Sequence, residues 1–185
     1  DGGERFLVME YVEGTDLAAL LGRSRRVDPP LALHIAGEIA EGLDYLHARG
    51  VVHRDVSPGN VYLSRAGEVK LGDFGIAKGR APTLRTERGH LKGKLAYLAP
   101  EQARGDAVDA RADLYALGCV LYGRPPFTGA PGEIVEGHLK GRVEPPEGPA
   151  PLADLVARLL RKDPGERPAS AASALALLGP LHACE

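Results

Sequence analysis

Asp55 and Asn60 stand five residues apart in His53-Arg54-Asp55-Val56-Ser57-Pro58-Gly59-Asn60, and Asp73 follows thirteen residues later in Asp73-Phe74-Gly75. A carboxylate on a tight loop can orient and deprotonate an attacking hydroxyl. An amide oxygen and a second carboxylate are hard oxygen ligands of the kind Mg²⁺ takes. Phosphoryl transfer asks little more of a protein, because its barrier is lowered by positioning and charge neutralisation rather than by covalent chemistry. A lone His-Arg-Asp run is an ordinary surface loop. The second Asp, at this distance, gives it weight.

These residues need elements to hold them. Pro29 or Pro30 opens an amphipathic helix to about His47, with Leu31, Ile35, Ile39, Leu43 and Leu46 at helical spacing. Gly50 ends it. Short strands are expected at Val61–Leu63 and Val69–Leu71, joined by Ser64-Arg65-Ala66-Gly67, so the hairpin separates Asn60 from Asp73. Upstream, Arg5–Val12 reads as a strand broken by Gly14-Thr15-Asp16, and Leu17–Leu21 as a short helix. Residues 76–96 have no periodicity and read as a long exposed loop, of the kind that is functional or disordered. Further helices are expected across Leu114–Tyr122, Pro131–Lys140, Leu152–Lys162 and Ser170–Leu178. The expected architecture is one mainly α domain with a small β element.

Composition narrows the function classes. The 185 residues are 44% hydrophobic and 26% charged, ordinary values for a globular domain. Lys+Arg total 23 against 25 for Asp+Glu, which gives no nucleic-acid footprint and no polybasic membrane surface. Aromatics make up 5% and Trp is absent, so a base-stacking platform is not expected. Cys119 and Cys184 have no metal-ligand spacing, Cys119 reads as a small buried hydrophobe, and a reducing cytoplasm is the expected compartment. No run approaches the ~18 apolar residues of a membrane span.

The motifs resemble the protein kinase superfamily, specifically the C-terminal lobe of a eukaryotic-type α+β kinase fold. The resemblance implies ATP and Mg²⁺ as cofactors, a protein substrate with a Ser/Thr acceptor, Asp55 as catalytic base, and Asn60 and Asp73 as magnesium ligands. His53, Phe74 and Gly75 would set the active geometry. Ala99-Pro100-Glu101 is similar to the end of the family's activation segment. Asp113, in Asp-Leu-Tyr-Ala-Leu-Gly, matches the acid that holds the catalytic loop's backbone. Arg167, in Asp163-Pro164-Gly165-Glu166-Arg167-Pro168, would pair with Glu101. Met9-Glu10-Tyr11-Val12 is similar to the adenine-gripping hinge, with Met9 as gatekeeper; Asp16 would bind ribose and Tyr62 would line the nucleotide site. Residues 1–12 then read as the last N-lobe strand and hinge, and 13–185 as the C-lobe. Arg54 would grip a phosphate on Thr83 or Thr86. An excess of Arg over Lys (17 to 6) and the Val-Ser-Pro form of the loop resemble bacterial members.

The chain departs from the family pattern in four places. The glycine-rich loop, strand lysine and helix glutamate are absent from these residues and would belong N-terminal of Asp1, which makes the piece alone inactive. Ser57 stands where Ser/Thr kinases usually carry Lys, and Gly93-Lys94 where they carry Gly-Thr, so Lys94 is expected to replace the missing cation. The central helix is about four residues short before Gly123-Arg124-Pro125-Pro126-Phe127. Finally, an unpaired Arg5–Val12 strand would drive self-association. Two rivals stand beside a Ser/Thr protein kinase: a non-catalytic pseudokinase or docking module, and a small-molecule phosphotransferase.

Overall fold

The computed structural model describes residues 8–24, 28–73, 93–144 and 150–182. The chain forms β1 (Gly14–Asp16), α1 (Leu17–Arg23), α2 (Pro29–His47), β2 (Val61–Ser64) and β3 (Val69–Leu71). These are followed by α3 (Pro100–Arg104), α4 (Arg111–Leu121), α5 (Pro131–Lys140), α6 (Ala150–Leu159) and α7 (Ala171–His182). Single 3₁₀ turns occur at Pro58–Asn60 and Pro164–Glu166. The fold is mostly helical with a small antiparallel sheet in the order β1-β2-β3.

α4 is the centre of the molecule. Every residue from Ala112 to Val120 is buried, as a helix apolar on all sides must be. α2 packs on α4 and α7, α6 packs on α4 and α7, and α3 packs on α5. α4 runs unbroken to Leu121 and stops at Gly123, whose φ of +76° takes the chain out of the helix. The buried face of the helix is complete before that point.

Three expectations need correction. Residues 8–12 form no strand, and Val8, Met9 and Tyr11 lie exposed. The strand forms instead at Gly14–Asp16, which pairs antiparallel with β2, Gly14 opposite Ser64 and Asp16 opposite Tyr62. Gly14 reads as a breaker in sequence, yet here it permits contact: a Cβ would sit 1.9 Å from the Leu63 carbonyl oxygen. Along α2 the buried stripe runs through Leu33, Ile35, Ile39 and Leu43, whereas Leu31 is exposed. Its first turn precedes the packed face.

Phe74, Gly75, Thr83, Thr86 and Cys184 lie outside the described residues. Cys119 is fully buried, and burial pushes its thiol pKa far up, so it acts as a small hydrophobe.

Candidate active site

The His53–Asn60 loop is held from beneath by one buried carboxylate. Asp113, in the first turn of α4, accepts from the His53 N–H at 2.8 Å through Oδ2 and from the Arg54 N–H at 2.7 Å through Oδ1. His47 Nε2, at the end of α2, lies 2.8 Å from the same Oδ2. These contacts hold Arg54 at φ +65°, a left-handed conformation that a non-glycine residue adopts only when its surroundings impose it. An acid in the first turn is also favoured by the helix dipole.

His53 carries that order to the turn that bears Asp73. Its Nδ1 accepts from the Asp55 N–H at 3.3 Å, which leaves Nε2 to donate to the Gly72 carbonyl at 3.1 Å. Gly72 N–H in turn donates to the Asn60 carbonyl at 2.9 Å. Asn60 closes the loop on itself, its Nδ2 donating to the Asp55 carbonyl at 2.7 Å. Asp55, Asn60 and Asp73 are thus tied to one hydrogen-bonded frame, and Asp73 sits at φ +57° beside it.

Lys94 reaches this frame from the other side. Its Nζ donates to Asp55 Oδ2 at 2.8 Å, and the carboxylate is the less exposed partner (16% against 42%). Ser57 precedes the Pro58–Asn60 turn in extended backbone, and its carbonyl accepts from the Asn60 N–H. Glu101 and Arg167 form a buried bidentate pair with distances of 2.6 and 2.8 Å.

The nucleotide-side residues are more scattered. Asp16 caps α1, its Oδ1 accepting from the Ala19 N–H at 2.7 Å. Glu10 pairs with Lys70 on β3, Met9 is exposed, and Val12 is half-buried. Tyr62 on β2 turns its hydroxyl to Asp73 Oδ2 at 2.9 Å. The Arg54 side chain is exposed.

Sequence reasoning missed two connectors. Gln102 links α3 to the catalytic loop, its Oε1 accepting from Ala99 N–H at 3.0 Å and its Nε2 donating to the Arg54 carbonyl at 3.1 Å. The second is a buried chain under the loop that carries Lys94. Lys162 Nζ donates to the Tyr115 hydroxyl (3.3 Å), which lies 2.9 Å from His138 Nδ1. His138 Nε2, without a hydrogen-bond partner among the described residues, faces the backbone of Leu95 and Ala96. The signals were present: Ile134 and His138 at i, i+4 on α5, and a Lys just before Asp163-Pro164.

Burial, reinforced by the Lys162 charge, lowers the His138 pKa from 6.5 to about 4. Burial lowers Lys162 to about 8. A histidine held neutral in the fold binds fewer protons than the unfolded chain between pH 6.5 and 4. Its contribution is therefore complete above pH 6.5 and is lost as pH falls through about 4. The facing groups, Tyr115 and Lys162, do not change charge in that window. Urea unfolding should show wild type losing up to about 3 kcal/mol more than His138→Asn between pH 7 and 4. Parallel pH profiles would refute the assignment.

A protein kinase domain model matches residues 1–177. The chain is 39% identical to serine/threonine-protein kinase PknB of Mycobacterium tuberculosis, over 96% of this chain and 30% of the relative. It is 42% identical to serine/threonine-protein kinase PknA of Corynebacterium glutamicum (88% and 36%) and 41% identical to PknH of Mycobacterium bovis (91% and 30%). The chain spans about a third of the length of these relatives. Motifs, frame and relatives agree: this chain belongs to the protein kinase family.

Proposed function

We propose that the chain is the hinge and C-terminal lobe of a bacterial Ser/Thr protein kinase that transfers the ATP γ-phosphate to protein hydroxyls in signalling. The observation that carries this reading is the hydrogen-bonded frame that joins Asp55, Asn60 and Asp73 through His53 and Gly72 and anchors on Asp113. A non-catalytic scaffold has no chemical need for all three groups in one frame.

The donor set suits Mg²⁺. Among the described residues no group of three or more His, Cys, Asp or Glu side chains is arranged to hold a metal by itself. One carboxylate (Asp73) and one amide oxygen (Asn60) fit an ion that arrives with nucleotide phosphates and keeps most of its ligands from them and water. When bound, the ion neutralises phosphate charge. Asp55 orients the acceptor hydroxyl and takes its proton. Lys94, beside Asp55, supplies a point charge for the transferring phosphate.

Asp16 and the Met9–Val12 segment would receive ribose and adenine, with Tyr62 under the base. Arg54, exposed at the loop, would take a phosphate placed on Thr83 or Thr86. Partners are protein substrates; the compartment is cytoplasmic for this segment, whose described residues include no helix long and apolar enough to cross a membrane. The glycine-rich loop and strand lysine would lie upstream of Asp1, and residues 1–185 alone should transfer no phosphate.

Labelled ATP and a generic basic protein test both statements. The protein carrying its upstream sequence should label the substrate, and Asp55→Asn should bring labelling to background. Labelling untouched by Asp55→Asn would refute the assigned base. Asp55-dependent labelling by residues 1–185 alone would show that the upstream elements are dispensable.

A further inference from the structure

Tyr62 is placed to do more than line a nucleotide site. It lies on the central strand of the sheet, paired with Asp16 on one side and Lys70 on the other. From there its hydroxyl donates to Asp73 Oδ2 at 2.9 Å. The ring reaches Asp73 only by passing over Gly72: a Cβ at that position would lie 2.8 Å from Tyr62 Cε2 and 3.3 Å from Cδ2. Gly72 cannot retreat, because its N–H is bonded to Asn60 and its carbonyl to His53. A side chain at 72 would displace the ring, and the hydroxyl with it.

The contact matters because of what it does to a carboxylate. Ionised Asp offers about four lone-pair sites on two oxygens, and free rotation spreads them over many directions. One hydrogen bond to Oδ2 fixes the plane of the group and leaves Oδ1 and the remaining Oδ2 lone pair for a cation. Groups that hold a metal ligand in this way commonly change metal affinity 10- to 100-fold when removed. Asp73 is already held at φ +57°, so the hydroxyl completes the restraint at the side-chain end.

We propose that Tyr62 is a positioning residue for the metal ligand Asp73, and that Gly72 is the residue that admits its ring. The proposal rests on the kinase reading of Asp73. Tyr62 orients the carboxylate before the cation arrives, and the Tyr62–Gly72 pair works as a unit.

Mn²⁺ titrated together with a non-hydrolysable ATP analogue into the protein carrying its upstream sequence, followed by water-proton relaxation, tests this without activity. Wild type should show a Mn²⁺ site that Asp73→Asn removes. Tyr62→Phe keeps the ring and should weaken that site about tenfold, near the lower end of the usual range because the contact is solvent-accessible. Gly72→Ala should weaken it comparably, and the double variant should be no weaker than either single, since both act through one hydrogen bond. The metal-free melting temperature of Tyr62→Phe should match wild type. Unchanged Mn²⁺ affinity in Tyr62→Phe overturns the proposal, as does a loss matched by lower metal-free stability. Mn²⁺ binding that survives Asp73→Asn overturns the reading of Asp73 itself.

Discussion

Replacing Lys94 by Thr should slow phosphate transfer by roughly 10- to 150-fold in the kinase carrying its upstream sequence, the equivalent of one charge-assisted contact of about 1.5–3 kcal/mol acting at the transition state. Ser57 removes a cation that relatives of this type usually carry in the catalytic loop, and Lys94 adds one where they usually carry Thr. Lys94 is the one whose contact with Asp55 is seen. Lys94 Nζ lies 2.8 Å from Asp55 Oδ2, so the cation stands beside the proposed base although it comes from the opposite loop. Its stem is long and flexible enough to turn from that carboxylate to a phosphate, and a point charge needs no fixed approach angle. The double change Ser57→Lys with Lys94→Thr should restore much of the rate. A double-mutant cycle should then give a large coupling energy, because each change matters only while the other cation is missing. A rate unchanged by Lys94→Thr, or a double variant no faster than the single, would show that the exchange has no catalytic role.

The two residues of that proposed exchange stand out in the sequence because both sit in short motifs whose neighbours fix their place. Asp113 and the Glu101–Arg167 pair were legible for the same reason, and the structure joins each to its expected partner. Helix α5 was expected near Pro131–Lys140, and it forms there. The Tyr62–Asp73 contact was not legible. It depends on a ring crossing a glycine between two elements, and neither residue is unusual alone. The chain from Lys162 through Tyr115 to His138 left signals at its single residues, but its connection joins three elements far apart in sequence. Over residues 8–12, the described part of the expected Arg5–Val12 strand, the expectation failed for another reason. β propensity states that a segment fits a pleated surface, and pairing decides whether it forms one.

Arg167→Met should cost about 3–5 kcal/mol of folding stability, a large share of what a domain of this size possesses. The guanidinium is fully committed. Nε donates to the Arg161 carbonyl at 2.8 Å; Nη1 donates to Glu101 Oε1 at 2.6 Å and the Arg111 carbonyl at 2.8 Å; Nη2 donates to Glu101 Oε2 at 2.8 Å and the Lys162 carbonyl at 3.3 Å. All five N–H donors therefore have acceptors, and the group lies 4.9 Å from the centroid of the Tyr115 ring. Methionine would fill much of the volume but strand a carboxylate that is only 3% exposed, together with three backbone carbonyls. Arg167→Lys should recover little, because three donors on a compact ammonium cannot serve five acceptors in a plane. Removing both charges with Glu101→Met and Arg167→Met should cost less than the two single losses added together, since neither ion is then left alone. Urea unfolding at pH 7 measures each term. If Arg167→Met lost under about 1 kcal/mol, the pair would be behaving as a solvated surface bridge. Burial argues otherwise: α3, the end of the expected activation segment, is fastened here to the loop after α6, so unfastening it should also loosen Gln102 and, through it, the Arg54 backbone beside Asp55.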